Sequence, residues 1–264
     1  MRETPSLMPQ YAADRAETLR NRAKLSANAN LLYWYRELYR EQFRDFPDPK
    51  NIRILEIGSG VSPLRRFYSN IITSDVLDLD YLDYVFDCHQ IDQLTAVADE
   101  SLDVITVTNV LHHLKMPIDF LNRAAVKLKC GGKIIATEPY FSVLSTLIFK
   151  YLHHEPVDFG IGQPELADVR SPLTSANIAL PWLIFIRNRD WSDRLRGNFD
   201  FDCDTFEPFS SVSYMATGGI SRRLPIPSPI FRLLFQLDQA FSRAFPKLFA
   251  SFFTITLTRR PCLS

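Results

Sequence analysis

The sequence predicts an α/β domain with a mostly parallel sheet and helices on both of its faces. Short apolar runs bounded by turn residues recur along residues 50–140, as expected of buried parallel strands. Segments with helical spacing of apolar residues lie between these runs, which favours parallel strands joined by helical crossovers. A chain of 264 residues with 46% hydrophobic composition is long enough to bury one such core.

Seven segments are predicted to be strands. They are Ile52–Ile57, Ile71–Ser74, Tyr84–Phe86, Val104–Thr108, Gly132–Thr137, Phe201–Phe209 and Phe252–Thr258. A parallel crossover normally needs a dozen or more residues. The connection from Asp75 to Tyr84 is shorter, so we expect a turn where a second crossover helix would otherwise stand.

Helices are predicted over residues 11–46, Pro117–Lys129, Phe141–Leu152 and Ile230–Phe245. The last has one apolar face, formed by Ile230, Leu234, Leu237 and Phe241. We expect core packing for the last two helices, with peripheral membrane contact as the alternative. The predicted organisation is an N-terminal helical cap (1–50), a Rossmann-like core (51–140), an acceptor-side insertion (141–230) and a closing helix and strand (231–264).

Composition indicates which kinds of partner the protein binds and in which compartment it is found. Thirty basic and thirty acidic side chains cancel, so the net charge gives no reason to expect a nucleic-acid partner. The four cysteines form no CxxC pair, and reduced thiols in the cytoplasm are the simplest interpretation. The longest apolar runs are too short to span a bilayer, and the N-terminal residues lack the apolar run of a signal peptide.

The chemistry is expected at the turn Gly58-Ser59-Gly60 after the first strand. Glycines there let a ligand approach the backbone closely. Such a turn alone is compatible with NAD, FAD or S-adenosylmethionine. Glu56, two residues earlier, favours the cationic amino group of an amino-acid ligand over a pyrophosphate. Asp75 ends the second strand, where an acid can accept hydrogen bonds from ribose hydroxyls.

Five stretches together resemble the successive motifs of class I S-adenosylmethionine-dependent methyltransferases. They are LEIGSGVSPL, IITSD, FDCHQI, SLDVITVTNVLHHL and LKCGGKIIATEPY. The nearest branch is the small-molecule group that includes the ubiquinone and menaquinone methyltransferases. The resemblance covers residues 50–140 and implies a seven-stranded Rossmann-like sheet whose last strand is antiparallel.

The resemblance also implies which residues bind S-adenosylmethionine. The implied set is Glu56, Gly58, Ser59, Gly60, Asp75, Val76, Asp87, Cys88, Asn109 and Val110. The acid and the glycines of the turn would hold the methionine moiety, the pair 87–88 would flank the adenine, and the pair 109–110 would lie near the methyl group. Two departures are visible: Ser62 stands where the family often has a third glycine, and Asp78 is an alternative ribose ligand.

Candidate acceptor-side groups follow the fourth and fifth strands. They are His112, His113 and the cluster His153-His154-Glu155, with Asp158 after it. We predict catalytic roles for His154, His153 and His113, against the alternative that these histidines are structural. We predict no metal site, because the side chains of the adjacent His153 and His154 would diverge on a helix. Trp182, Phe185 and Asn177 are candidates to line the acceptor pocket, with core packing as the alternative for the aromatic rings.

The predicted function is methyl transfer to a small-molecule or biosynthetic-intermediate acceptor, with sugar- and lipid-linked molecules among the candidates. Two other classes remain open at this point. A non-catalytic binding module would be expected to lose the cofactor motifs, and an NAD-dependent oxidoreductase would be expected to carry a third glycine and no acid at Glu56.

Overall fold

The structure is a computed structural model that describes residues 8–151, 155–167, 169, 171, 175–220 and 224–261. The strands are β1 (Ile54–Ile57), β2 (Ile71–Asp75), β3 (Tyr84–Val85), β4 (Leu102–Thr108), β5 (Leu128–Pro139), β6 (Phe199–Asp200), β7 (Glu207–Phe209) and β8 (Phe252–Arg259). They form one sheet in the order β3-β2-β1-β4-β5-β8-β6, with β7 also paired to β8. Strands β1 to β5 are parallel, and β8 runs antiparallel to β5. The predicted mostly parallel sheet is confirmed.

The outer edge of the sheet differs from the prediction of a single strand over Phe201–Phe209. Strand β5 occupies one edge of β8, so β6 and β7 both pair with its other edge, one after the other along its length. The seventh position of the sheet is therefore filled by two short strands, and the described sheet has eight strands in place of seven. Residues 201–206 leave the ladder between them.

The helices are α1 (Met8–Ala27), α2 (Ala29–Gln42), α3 (Leu64–Phe67), α4 (Pro117–Ala124), α5 (Val143–Tyr151), α6 (Leu180–Trp182), α7 (Arg189–Asp193), α8 (Val212–Thr217), α9 (Ser228–Ala244) and α10 (Pro246–Phe249). The helix predicted over residues 11–46 is two helices. Asn28 separates them because its extended backbone and its side chain, which accepts from Leu31 N, make it the N-cap of α2. Among the described helices, none is long and apolar enough to cross a membrane.

Apolar side chains cover both faces of the sheet. In β1, Leu55 and Ile57 belong to the cluster that packs against α4, whereas Ile54 belongs to the cluster that packs against α2 and α9. Helices therefore lie on both faces, as predicted from the continuous apolar strands. The connection between β2 and β3 contains turns and no helix, which confirms the short crossover. The four-part domain division stays a prediction.

Helix α9 does not bury the predicted face. Ile230, Leu237 and Phe241 are exposed, and the buried side chains are Phe231, Phe235, Asp238, Gln239 and Ser242. The carboxylate of Asp238 explains which face of α9 is buried, because it accepts hydrogen bonds from the backbone N–H groups of residues 211–213 at the start of α8. A buried polar network thus rotates α9 by about one residue and leaves an apolar stripe facing outward.

Candidate functional site

The loop after β1 is organised around the buried carboxylate of Glu56. Ser62 Oγ donates to Glu56 Oε1 at 2.5 Å, and Ser59 Oγ donates to Glu56 Oε2 at 2.7 Å. Ser62 Oγ also accepts from Leu64 N at 3.1 Å, at the start of α3. The serine that replaces a third glycine therefore ties the loop to both the acid and the following helix.

Glu56 is 2% exposed. Burial raises the pKa of its carboxyl group to about 7, against the opposing effect of the two serine hydroxyls and of Arg22. A bound ammonium group would offset the cost of burying the negative charge. The position of this acid thus fits the amino group of an amino-acid ligand.

Gly58 and Val110 meet where β1 and β4 end. Gly58 has φ +79°, and a Cβ placed on it would lie 2.4 Å from Val110 Cγ2, so only glycine fits here. Asn109, immediately before Val110, has φ 56°, and its Oδ1 is buried without a hydrogen-bond partner among the described residues. A buried orphan acceptor beside a glycine turn fits a bound polar ligand.

Asp75 reaches the same loop from the end of β2. Its Oδ2 accepts from Gly60 N at 2.9 Å and its Oδ1 accepts from Leu77 N at 3.0 Å. Burial raises the pKa of this carboxyl group, although both amides oppose the shift. Asp78 is exposed, and which of the two acids binds the ribose stays a prediction. Val76 is exposed and its carbonyl accepts from Tyr11 OH.

Helix α1 lies over this loop. Arg22 Nη1 donates to the carbonyls of Gly60 and Ser62 at 3.3 and 3.0 Å, and Thr18 Cγ2 lies 2.9 Å from the point where a Cβ on Gly60 would stand. Arg22 also stacks on Tyr81, whose hydroxyl donates to the Gly60 carbonyl at 2.6 Å. The N-terminal helix therefore covers the glycine turn, which is the position expected of a cap.

The adenine-side candidates lie after β3. Asp87 Oδ1 accepts from His89 N and pairs with His89 Nδ1 at 2.9 and 2.8 Å. These hydrogen bonds from His89 lower the pKa of Asp87. Cys88 is buried, and burial raises the pKa of its thiol. Asp87 thus caps the short 3₁₀ turn Cys88–Gln93.

A buried pair that sequence reasoning missed stands at the ends of β4 and β5. Glu138 Oε2 lies 2.6 Å from His112 Nδ1, and Glu138 Oε1 accepts from the backbone N–H groups of Val110 and Leu111. Burial lowers the pKa of His112, but Glu138 and Glu155 outweigh it and raise that pKa to about 9. The signal in the sequence was the acidic Glu138 directly after the predicted strand Gly132–Thr137.

His113 and Glu155 complete a polar cluster beside this pair. His113 Nδ1 lies 3.0 Å from the Ser175 carbonyl. His112 Nε2 lies 3.5 Å from one oxygen of Glu155, and His113 Nε2 lies 3.8 Å from the other. The predicted catalytic residues His153 and His154 lie outside the described residues. Of the predicted catalytic residues, the structure brings His113 close to Glu155, the residue that directly follows His153 and His154 in the sequence.

Three aromatic rings pack together near the same edge. Phe141 lies 4.8 Å from Phe159 and 5.8 Å from Trp182 between ring centroids. The indole Nε1 of Trp182 is buried with no partner in the described chain. Of the other pocket candidates, Phe185 is fully buried against Phe253, and Asn177 is held by three hydrogen bonds to residues 158 and 179. Whether these two residues line the acceptor pocket stays a prediction.

Two depressions on the described surface lie elsewhere. One of about 300 Å³ is lined by α4 and residues 163–165, and one of about 290 Å³ lies between residues 28–30 and 224–228. Neither is lined by a residue of the cofactor set.

The sheet order and the glycine turn at the carboxyl edge of the sheet define a class of protein: the α/β proteins that bind their ligands in a crevice at this edge. Residues 31–166, just over half of the chain, match the family model described as a methyltransferase domain. The chain belongs to this methyltransferase-domain family and is an S-adenosylmethionine-dependent methyltransferase. The NAD-dependent alternative and the non-catalytic alternative are thereby set aside.

Similar folds occur among solved structures. A SAM-dependent methyltransferase from Archaeoglobus fulgidus is 16% identical, with 84% of this chain and 94% of that chain covered and a TM-score of 0.46. An S-adenosylmethionine-dependent methyltransferase from Mesorhizobium loti is 12% identical, with 84% and 97% covered and a TM-score of 0.43. No curated protein matches the chain. The finer resemblance to the quinone methyltransferases stays a prediction.

Proposed function

We propose that the methyl acceptor is a small molecule bound beyond the carboxyl ends of β4 and β5. The observation that carries the proposal is the group of Phe141, Phe159 and Trp182, whose indole N–H has no partner among the described residues. The turn Leu111–His113 contacts α6, and Asn177 N donates to the His112 carbonyl at 2.9 Å. An apolar wall and a polar cluster therefore adjoin, as in small-molecule sites.

The chain's own part in the reaction is binding and orientation. S-adenosylmethionine supplies an activated methyl group, so in-line positioning of the acceptor can account for roughly 7–11 kcal/mol of the barrier. A general base is required only where the acceptor loses a proton. We propose His113, His153 and His154 as acceptor-side groups, with His113 in place next to Glu155.

The role of the histidine pair is tested by His154→Ala. Turnover is expected to fall by about 10²–10⁴-fold if the acceptor must lose a proton, whereas the dissociation constant for S-adenosylmethionine stays unchanged. Equal losses of cofactor affinity and turnover would contradict an acceptor-side role. The acceptor class itself is tested with methyl-labelled cofactor and separated small-molecule, protein and nucleic-acid fractions of a cell extract. Label in the protein or nucleic-acid fraction would overturn the proposal.

We further propose that the acceptor is lipid-linked and that the protein makes peripheral contact with a membrane. Helices α5, α9 and α10 expose a set of large apolar side chains: Val143, Leu147, Tyr151, Ile230, Leu233, Leu237, Phe241, Phe245 and Leu248. Helix α10 contacts both α5 and α9, so this set, the outer apolar face, joins three neighbouring elements. Exposed apolar area of this kind favours an interaction surface.

The charges around the outer apolar face favour an anionic lipid surface. Lys150, Arg232 and Lys247 are exposed on these three helices, and their one acid, Asp238, is buried. Arg243 is also exposed but is paired with Glu41 of α2 at 2.6 Å. Aromatic and leucine side chains beside arginine and lysine are typical of helices that lie in a membrane interface. Helix α5 begins four residues after β5 ends, which sets this face next to the proposed acceptor region.

Sedimentation with phospholipid vesicles tests the contact. We expect the protein to bind phosphatidylcholine vesicles that contain phosphatidylglycerol, and Leu237→Glu with Phe241→Glu to abolish that binding. Val212→Glu, at another exposed apolar position, is the matched control and should bind like the wild type. No binding by the wild type, or equal losses in both variants, would contradict membrane contact while leaving methyl transfer untouched.

A further inference from the structure

We propose that His112, His113 and Glu155 form a binding site for one divalent cation of the zinc class. The ligand atoms are the two imidazole Nε2 atoms and the Glu155 carboxylate. His112 Nε2 lies 3.5 Å from Glu155 Oε2, and His113 Nε2 lies 3.8 Å from Glu155 Oε1. One ligand atom from each residue lies within 4.8 Å of the other two.

These separations suit coordination better than direct hydrogen bonding. Hydrogen bonds between nitrogen and oxygen span about 2.7–3.2 Å. Ligands about 2.0–2.1 Å from a tetrahedral zinc ion lie about 3.4 Å from one another. Both histidine-to-glutamate distances exceed the hydrogen-bond range and lie close to the ligand spacing, each to a different oxygen of Glu155. The separations of up to 4.8 Å among single ligand atoms would have to close toward about 3.4 Å to complete the geometry.

The Nδ1 atoms of both imidazole rings have the kind of hydrogen-bond partner that metal-ligating histidines usually have. Ligating histidines usually donate their second ring N–H to a carboxylate or to a backbone carbonyl. His112 Nδ1 is paired with Glu138 at 2.6 Å, and His113 Nδ1 is paired with the Ser175 carbonyl at 3.0 Å. A carbonyl can only accept, so His113 Nδ1 carries a proton, and Nε2 is the ring nitrogen on the side of Glu155.

The local backbone overcomes the divergence expected of adjacent residues. Residues Leu111–His113 form a 3₁₀ turn in place of an α-helix, and the two imidazole centroids lie 4.2 Å apart. Glu138 fixes this turn by accepting from Val110 N and Leu111 N. In this turn the two adjacent imidazole rings therefore lie side by side.

The ligand types select the class of cation. Two imidazoles and one carboxylate suit zinc and its first-row neighbours better than magnesium or calcium, which prefer oxygen ligands. Three protein ligands leave a fourth position for water or for an oxygen of a bound molecule. Cation binding does not depend on the proposed acceptor. Its use in orienting an acceptor oxygen rests on the proposed function.

Metal titration of chelator-treated protein tests the site. We expect one equivalent of Zn²⁺ to bind by calorimetry, and Co²⁺ to give the intense visible absorption of a four-coordinate site. His113→Ala and Glu155→Ala should each weaken binding by more than about 100-fold, and Glu138→Gln by about 10–100-fold. Circular dichroism of each variant shows whether it is folded, and His113 and Glu155 are chosen because they are less buried than His112.

His89→Ala is the matched control. His89 belongs to the other group of metal-type side chains in the described chain, Asp87, Cys88 and His89, and its loss should leave binding unchanged. Absence of one-equivalent binding by the wild type would mean that His112 is an imidazolium held between two carboxylates, and would overturn the site. Binding that survives His113→Ala and Glu155→Ala, or is lost in His89→Ala, would overturn it as well.

Discussion

The carboxylate of Asp75 accepts a hydrogen bond from the backbone N–H of Gly60 at 2.9 Å. The end of β2 is thereby joined to the glycine turn after β1, and a ribose placed at this edge would lie within reach of the acid. The two residues are fifteen positions apart, and the parallel pairing of β1 with β2 brings them together.

Asp75→Ala should weaken S-adenosylmethionine binding by about 10- to 100-fold, because hydrogen bonds to a charged group contribute about 1.5–3 kcal/mol. Asp78→Ala should bind the cofactor like the wild type, since its side chain is exposed. Calorimetric dissociation constants for both variants decide which acid serves the ribose. The opposite ranking would assign that role to Asp78.

Gly58→Ala should destabilise the fold through two separable effects. A left-handed backbone costs a non-glycine residue about 1–3 kcal/mol, and the new methyl group would overlap Val110 Cγ2. In a Val110→Ala background the overlap is removed. The loss of stability caused by Gly58→Ala should then shrink to the cost of the left-handed backbone conformation. Free energies of unfolding in urea for the four proteins measure the difference. Equal losses in both backgrounds would show that Val110 does not cover Gly58.

Cofactor affinity should rise with pH up to about 7 and then level off. Glu56 has a pKa raised to about 7 by burial, so below this pH the carboxyl group must lose a proton before it pairs with the cofactor's ammonium group. The affinity is expected to fall by about tenfold per pH unit below 7. Calorimetry in buffers with different ionisation enthalpies should show proton release on binding, and Glu56→Gln should abolish it.

The raised pKa of Glu56 also makes the stability of the fold depend on pH. The folded state holds the Glu56 proton more tightly than the unfolded chain, in which the carboxyl group has its ordinary pKa of 4.5. The contribution of this group to stability is therefore complete below about pH 4.5 and is lost as the pH rises through about 7. Glu56→Gln should remove this part of the pH dependence of unfolding. An unchanged pH profile in the variant would contradict the raised pKa.

Asp238→Ala should cost at least about 2 kcal/mol of stability. It would leave the buried backbone N–H groups of Ser211 and Ser213 without their acceptor, and an unsatisfied buried donor costs about 1–3 kcal/mol. Asp200→Ala is the control, because its exposed ion pair with Arg260 contributes little. Similar unfolding midpoints in urea for the two variants would show that Asp238 does not determine the packing of α9.

The sequence predicts the part of the fold in which local pattern and tertiary packing agree. Apolar runs such as Ile54–Ile57 and Leu102–Thr108 are buried on both faces, so their composition alone indicates parallel strands. The glycine turn and Asp75 were located because their spacing along the chain follows the strand order.

Two features of the structure could not be predicted from such sequence patterns. Helix α9 carries two apolar stripes, and the choice between them depends on the buried contacts of Asp238 with residues distant in sequence. The pairing of His112 with Glu138 joins positions 26 residues apart, and only the register of β4 and β5 reveals it. Long-range polar contacts of this kind leave no periodic signal.

Calorimetric titration of the folded wild-type protein with S-adenosylmethionine, in parallel with NAD, tests the central assignment most directly. The account predicts saturable binding of one S-adenosylmethionine per chain above pH 7 and no binding of NAD. Folded protein that binds no S-adenosylmethionine, or binds NAD as tightly, would contradict it.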